Sequence, residues 1–438
     1  MFCGLETEPE IVSLGLPCYL SRFLRPFWLA VFVLLLPAGQ LAAQEALRVS
    51  LAGDVAAATR KQAQNSVGYY NLMWGPVTLR CSAGLSEEYN DNVLNTSGSS
   101  GDLITRPSVQ AQINWPVTAW NTLNLSLDAG YSIYATHSEL SQLYFNPGSG
   151  LSLDVYVGEW VFNLHDRVAM TENTYENPTV AGGQNNTFLQ NDAGISGLWD
   201  LNKFVVSLGY DHENYMNLSS SLVQPDSAAE NFYINVGTRL RPQIMVGLEA
   251  GLGLVNYDQA SGTNSNVAPV SDAVQWNAGL FTSVQLSEHL SARLDGGYTV
   301  YTPDTVQTNL SSGLSAFYFQ FSLSHQITEH IGYSLSAGRS VDFAYDGQAY
   351  DRLFVRLNPN WNVLRKWSVG TPVWWEQGTQ VGRGSLTYDQ YGAGFTIGRM
   401  LTQKLSAQFH YQWVMEISDQ ASYNYTANIV GLNFTYQF

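Results

Sequence analysis

Tyr425 to Phe438 reads YTANIVGLNFTYQF. Counted back from its end, Phe438, Tyr436, Phe434, Leu432 and Val430 are all apolar or aromatic. The interleaved set, Gln437, Thr435, Asn433, Gly431 and Ile429, is mostly polar or small. A period of two is the period of a β-strand with one oily face and one wet face. The edge strand of a soluble sandwich can alternate in the same way, so the rest of the chain has to decide between the two.

Working outward, the same alternation recurs from Val77 onward in eighteen segments, at about 77–90, 102–115, 122–136, 150–157, 160–172, 188–199, 204–216, 230–240, 244–257, 273–286, 290–301, 314–327, 331–344, 350–361, 367–376, 386–400, 405–416 and 425–438. Two kinds of connection alternate between them. The short kind is a repeated cassette, seen in QLSEHLSAR, QITEHIGYS, MLTQKLSAQ, TRLRPQIMV and NVLRKWSVG. The long kind is polar and rich in Gly, Asn and Ser, as at 91–101, 176–187, 217–229, 258–272 and 302–313. Short turns at one end and long loops at the other are the pattern of a transmembrane antiparallel outer-membrane β-barrel with its short side periplasmic. The strand count is even, both ends fall on the short-turn side, and the last strand can therefore pair with the first. The fold class expected is all-β, a closed barrel of about eighteen strands. The closing aromatic strand, with Phe434, Tyr436 and Phe438, resembles the carboxy-terminal signal of outer-membrane barrels. That resemblance implies recognition by the barrel assembly machinery.

Composition points the same way. Charged residues make up 13% of the 438, about half the usual soluble share, aromatics another 13%, and there are 38 glycines. Outward apolar residues alternating with small polar inward ones produce this profile. The longest apolar run, Phe27 to Leu36, is too short to span a membrane as a helix. Arg22 and Arg25 precede it and Pro37 to Ala43 follow, so residues 1–43 read as a secretory signal peptide cleaved after Ala43, with the true start possibly later than Met1. Beyond it the balance is 18 basic against 33 acidic residues, or −15, which argues against nucleic acid as a partner. Cys3 and Cys18 leave with the leader, so Cys81 has no intramolecular partner. Residues 44–68 are Ala-rich and read as a periplasmic or lumen-facing segment with a possible short helix after Asp54; the barrel itself spans 69–438.

Strand parity assigns the faces. In 314–327, Phe317, Phe319, Phe321 and Leu323 face out, while Tyr318, Gln320, Ser322 and Ser324 face in. The candidate pore-lining residues are Arg80, Arg106, Arg167, Arg239, Arg352, Arg356, Asp128, Glu249 and Asp295, with Arg293, Asp154, Asp211 and Glu213 beside them. A lipid-facing Arg at mid-bilayer costs about 2–4 kcal/mol, which is why charge and inward parity should coincide. These residues either form an eyelet that sieves solutes or simply keep the wall wet and salt-bridged. Closure would bring Arg80 and Arg106 near Arg352 and Arg356. Trp115, Trp120, Trp160, Trp199, Trp361 and Trp367 sit at short-turn ends and read as a headgroup-level girdle. Arg339 falls on the apolar face of 331–344; it either snorkels to lipid phosphates or is turned inward by a bulge at Gly338.

One stretch carries a family resemblance. YYNLMWGPVTLRCSAGLSEEYNDNV, then DLITRPSVQ and INWPV, resembles the opening of the β-barrel porin type 2 family. Tyr89, Asp91 and Asn92 match the motif that ends the family's first strand; Asp102, Ile104 and Pro107 approximate the one that starts the second. The resemblance implies an outer-membrane channel, in some members associated with exopolysaccharide export. Passive or facilitated passage of small hydrophilic solutes is the function expected. The alternatives are an export pore for a polysaccharide, or a non-conducting structural or adhesive surface barrel. The seven histidines are scattered, and no nucleophile or acid stands at a spacing that suggests catalysis, so no enzyme, cofactor or metal site is expected. Expected partners are outer-membrane lipids and lipopolysaccharide, the assembly machinery, and small solutes or polysaccharide.

Overall fold

The computed structural model describes residues 70–171, 187–218, 226–258, 272–304, 313–343, 349–363, 366–381 and 386–438. The expected leader at 1–43, the segment at 44–68 and most of the long connections lie outside them. Eighteen staves make one closed antiparallel ring. They are β1 Val77–Asn90, β2 Asp102–Pro116, β3 Thr122–Tyr134, β4 Gln142–Val157, β5 Trp160–Thr171 and β6 Phe188–Asp200. Next come β7 Phe204–Asn217, β8 Ser227–Arg241, β9 Ile244–Tyr257, β10 Ala273–Ser287, β11 Leu290–Pro303 and β12 Leu314–Thr328. The ring ends with β13 Ile331–Phe343, β14 Ala349–Val363, β15 Trp367–Gly370 continued by Val373–Val381, β16 Thr387–Met400, β17 Leu405–Ser418 and β18 Tyr425–Gln437. Each stave pairs with its sequence neighbour, and β18 pairs with β1 from Ser82↔Gln437 to Asn90↔Ile429. A short strand, Leu72–Trp74, lies against the start of β1.

The two staves that most exceed their expected segments are β15 and β4, and a proline lies at the irregularity in each. β15 is interrupted at Pro372, which has no N–H to give to the ladder, yet its register against β14 and β16 continues unchanged on both sides. β4 starts at Gln142 rather than 150, and its register against β5 slips between Phe145 and Ser149, around Pro147-Gly148. Gly148 adopts φ 110°, which an L side chain would resist.

The outer face carries the apolar residues. Leu248, Leu280 and Phe317 are 61%, 63% and 72% exposed, an arrangement that water would penalise and lipid does not. Trp115, Trp120 and Trp361 are exposed at the short-turn ends, and Trp160 stacks on Trp199 with ring centroids 5.2 Å apart. Arg339 stays on this face. Gly338 pairs with Phe354 without a bulge, and the Arg339 guanidinium donates to both oxygens of Asp351, at 2.9 and 2.7 Å.

Three of the cassettes share one chemistry. In QITEHIGYS, Thr328 Oγ1 accepts the backbone N–H groups of His330 and Ile331 at 3.2 and 3.1 Å. In MLTQKLSAQ, Thr402 Oγ1 accepts those of Lys404 and Leu405 at 3.2 and 3.0 Å. In QLSEHLSAR, Ser287 Oγ accepts that of His289 at 3.2 Å. A Ser or Thr hydroxyl closing its own turn explains why that position repeats.

Candidate functional site: the lumen wall

The inner face is built from pairs in which a ring on one stave lies over a glycine on the next. Tyr233 faces Gly209, Phe281 faces Gly247, Phe354 faces Gly338, Tyr388 faces Gly378 and Trp374 faces Gly392, each directly opposed in register. A Cβ added at any of these glycines would crowd or collide with the ring. The rings therefore lie flat along the wall and do not point across the lumen.

Among the described residues, charged side chains sit between these rings in four groups. Around the seam, Arg106 binds Glu88 at 2.9 Å, and His410 reaches the other Glu88 oxygen at 3.2 Å. On β5 to β7, Arg167 binds Asp192 at 3.2 Å and His165 binds Asp211 at 2.8 Å, with Glu213 buried beside them. On β9 to β12, Arg293 binds Asp295 at 2.7 Å and approaches Glu249 at 3.8 Å. Tyr318 donates to Glu249 at 2.6 Å, spanning the two staves between them. On β14 to β17, Arg352 and Arg356 share Glu376, at 3.5 and 3.2 Å, and both lie over the Phe354 ring. Tyr388 donates to the second Glu376 oxygen at 3.0 Å, while Gln390 donates to Glu416 at 3.4 Å. Cross-strand pairing of this kind offsets the desolvation of charges held against a low-dielectric wall.

The sequence-predicted residues are placed as follows. Arg106, Arg167, Arg352 and Arg356 lie in these groups, each tied to a carboxylate on a nearby stave. Glu249 and Asp295 share one group. Asp128 accepts from Gln110 at 3.0 Å on β2. Arg80 is opposed to Gln112 in register, one turn of the pleat from Ser82. Arg239 lies at the short-turn end, where it grips Asp200 through two bonds of 2.7 and 2.8 Å. The contacts thus join the paired arginines to local acids.

Several wall residues escaped the sequence reading. Asp192 is buried at the centre of β6, where small neighbours blur the alternation. Glu376 and Glu416 lie at the edges of the expected segments, and Pro372 breaks the pattern ahead of Glu376. Inward parity from the following residues would have found all three.

The motif residues of the opening segment form a clasp on the seam. Asp91 accepts the backbone and side-chain N–H groups of Asn428 on β18, both at 2.7 Å. Asn92 is 1% exposed and donates to the Thr426 carbonyl of β18 at 3.1 Å. Asp102 accepts the backbone N–H groups of Thr136 and His137, tying β2 to the connection after β3. Ile104 packs with Tyr134 and Leu140 beneath it.

A closed eighteen-stave barrel with an apolar outer face and a charged inner one defines the class: a transmembrane barrel of the porin kind. Residues 66–438 match the family described as "putative beta-barrel porin 2", and the chain belongs to that family. Family and barrel together imply the outer membrane. Among solved structures, OccAB3 of Acinetobacter baumannii is 11% identical, with a TM-score of 0.43 over 82% of this chain and 99% of that one. OpdK of Pseudomonas aeruginosa, crystallised with vanillate, is 8% identical, with a TM-score of 0.48 over 82% and 99%. OccK2 (OpdF) of the same organism, in complex with glucuronate, is 9% identical, with a TM-score of 0.46 over 83% and 98%. None of the curated proteins matches the chain in sequence.

Proposed function

We propose that this porin lets small hydrophilic solutes cross the outer membrane of a Gram-negative bacterium, passively or by facilitated passage, without catalysis. The observation that carries this reading is the sorting of the two faces. Charged and polar side chains occupy inward positions in groups around the ring, opposite an outer face that only lipid can cover. A barrel of eighteen strands is wide enough to hold water. Lipid and lipopolysaccharide are the outer partners, and barrel assembly machinery is the partner during folding. Arg80, Arg106, Arg352 and Arg356 are the residues we assign to an eyelet.

One observation favours a second reading, a structural or adhesive barrel that does not conduct. Inward side chains toward the long-loop end are buried: Phe354, Val414 and Ala427 are 0% exposed. Inward residues nearer the short turns, such as Ser324 and Gln408, are exposed. Planar-bilayer recording with a panel of ions and sugars separates the readings. Stepwise conductance that small sugars reduce supports the solute channel. Block by long oligosaccharides alone points to polysaccharide export, and a folded barrel that never conducts supports the structural role.

A further inference from the structure

We propose that His165, Asp192 and Asp211 bind one divalent transition-metal ion on the inner wall, linking β5, β6 and β7. Their ligand atoms, one nitrogen and two carboxylate oxygens, all lie within 4.8 Å of one another, and all three side chains are buried. The proposal goes beyond solute passage and holds whether or not the lumen conducts.

The geometry begins with a missing side chain. His165 pairs with Gly194 in register, and Gly194 pairs with Asp211. A Cβ on Gly194 would meet both the Asp211 oxygen and His165 Nε2. Because that Cβ is absent, the imidazole on β5 reaches across β6 to the carboxylate on β7 at 2.8 Å. Asp192, two positions along β6, sets its Oδ1 4.0 Å from the same Nε2.

Two features of the site call for a cation at its centre. The first is Asp192. Its Oδ2 holds Arg167 at 3.2 Å, but its Oδ1 is buried without a hydrogen-bond partner. A buried carboxylate oxygen without a donor costs the full desolvation of that atom. The second is the tautomer of His165. Asn163 Nδ2 donates to Ser152 Oγ and to Asp154 Oδ1, both at 2.8 Å, which turns its Oδ1 toward His165 Nδ1 at 3.1 Å. Nδ1 must then carry the proton. In a neutral imidazole Nε2 presents a lone pair, and here it presents it to a carboxylate oxygen. A proton on Nε2 would satisfy Asp211 but leave Asp192 Oδ1 unpartnered. A metal ion between the three atoms satisfies all of them. A ring N–H held by an oxygen acceptor is also how metal-binding histidines are oriented, and here Asn163 Oδ1 is that acceptor.

The spacing suits such an ion. Metal–ligand bonds of about 2.0–2.2 Å in a tetrahedron put ligand atoms about 3.4 Å apart. The observed 2.8 and 4.0 Å bracket that value, so small side-chain rotations would seat the ion. The imidazole selects a borderline metal such as zinc, cobalt or nickel over magnesium or calcium, which prefer all-oxygen sites.

The test is cobalt(II) titration of the full folded chain in detergent, read by visible d–d absorption. We expect one ion per chain, displaced by zinc and not by magnesium in large excess. His165→Gln and Asp211→Asn should abolish binding, and Asn163→Ala should weaken it by about 10- to 100-fold. Heat-modifiable gel mobility confirms that each variant is a folded barrel. Absence of saturable binding to the folded wild type overturns the proposal. So does displacement by magnesium, or retention of the spectrum in folded His165→Gln or Asp211→Asn.

Discussion

Gly209→Ala is the sharpest probe of the inner wall. Tyr233, 4% exposed, lies directly over Gly209, and an added methyl would fall within its ring. Either the ring lifts or the staves part; overpacking of this kind costs about 1–3 kcal/mol. Gly253 is the control. It too faces inward, on β9, but a methyl there meets only Asn231 Oδ1 at 3.0 Å and a backbone oxygen at 4.0 Å. Neither glycine needs a positive φ, so both substitutions gain the same backbone term of about 0.4–1 kcal/mol from a restricted unfolded chain. That term cancels in the comparison. The two variants should therefore differ by about 1–3 kcal/mol, about 5- to 150-fold in the folding constant. Reversible urea unfolding in lipid vesicles, followed by tryptophan fluorescence, measures it. Adding Tyr233→Ala should remove most of the penalty of Gly209→Ala, because the methyl then has room. Equal midpoints for Gly209→Ala and Gly253→Ala, or no coupling to Tyr233, would refute the ring-over-glycine account.

Replacing Arg80, Arg106, Arg352 and Arg356 by Gln should shift the reversal potential across a KCl gradient toward cation selectivity, since Glu88 and Glu376 lose their partners. An unchanged potential in a conducting channel would make these arginines wall struts and remove the eyelet assignment. Arg339→Leu leaves Asp351 alone on the lipid face near the loop end, and should cost up to about 1 kcal/mol there. Adding Asp351→Leu should restore stability in the same urea assay, and a double variant no better than the single would count against the pair. Changing the outward Phe434, Tyr436 and Phe438 together to Ser should lower surface levels in cells more than it slows folding into vesicles. Equal surface levels would remove these residues as an assembly signal.

The fold was legible because lipid enforces a period of two. Wherever one face must be apolar, as from Leu248 to Leu254 or along β18, the alternation names the stave and its inward side. It was least legible where something other than lipid sets the pattern. Pro372 and the Pro147-Gly148 slip hid the true extents of β15 and β4. The wall groups were half legible. Parity says that Asp211 faces in, but only the ring order shows that it lies one stave beyond Gly194 from His165. Residues 165, 192 and 211 stand at no motif spacing, because stave length and loop length set the distances between them. The clasp on the seam was legible only as a family motif. Nothing local in Asp91 and Asn92 reveals that their partners lie on the last stave, at the far end of the chain.

The wall charges also bear on how such a barrel reaches a single register. A slip of one residue would turn every inward charge toward lipid, and a slip of two would keep the faces but break the cross-strand groups. Arg106 with Glu88, Arg167 with Asp192 and Arg356 with Glu376 each join adjacent staves, so each penalises the two-residue slip that apolar patterning alone permits. The Tyr233, Phe281, Phe354 and Tyr388 pairs with glycine act in the same direction, since a ring displaced by two residues would meet a neighbour with a Cβ. At the seam, where no hairpin fixes the register of β1 against β18, the chain adds Asp91 and Asn92 on Asn428 and Thr426, and Asn71 on the Phe438 carbonyl at 2.7 Å. Polar groups on the inner wall thus specify which closed ring forms. Whatever selectivity the lumen has must come from the charge left over after that pairing.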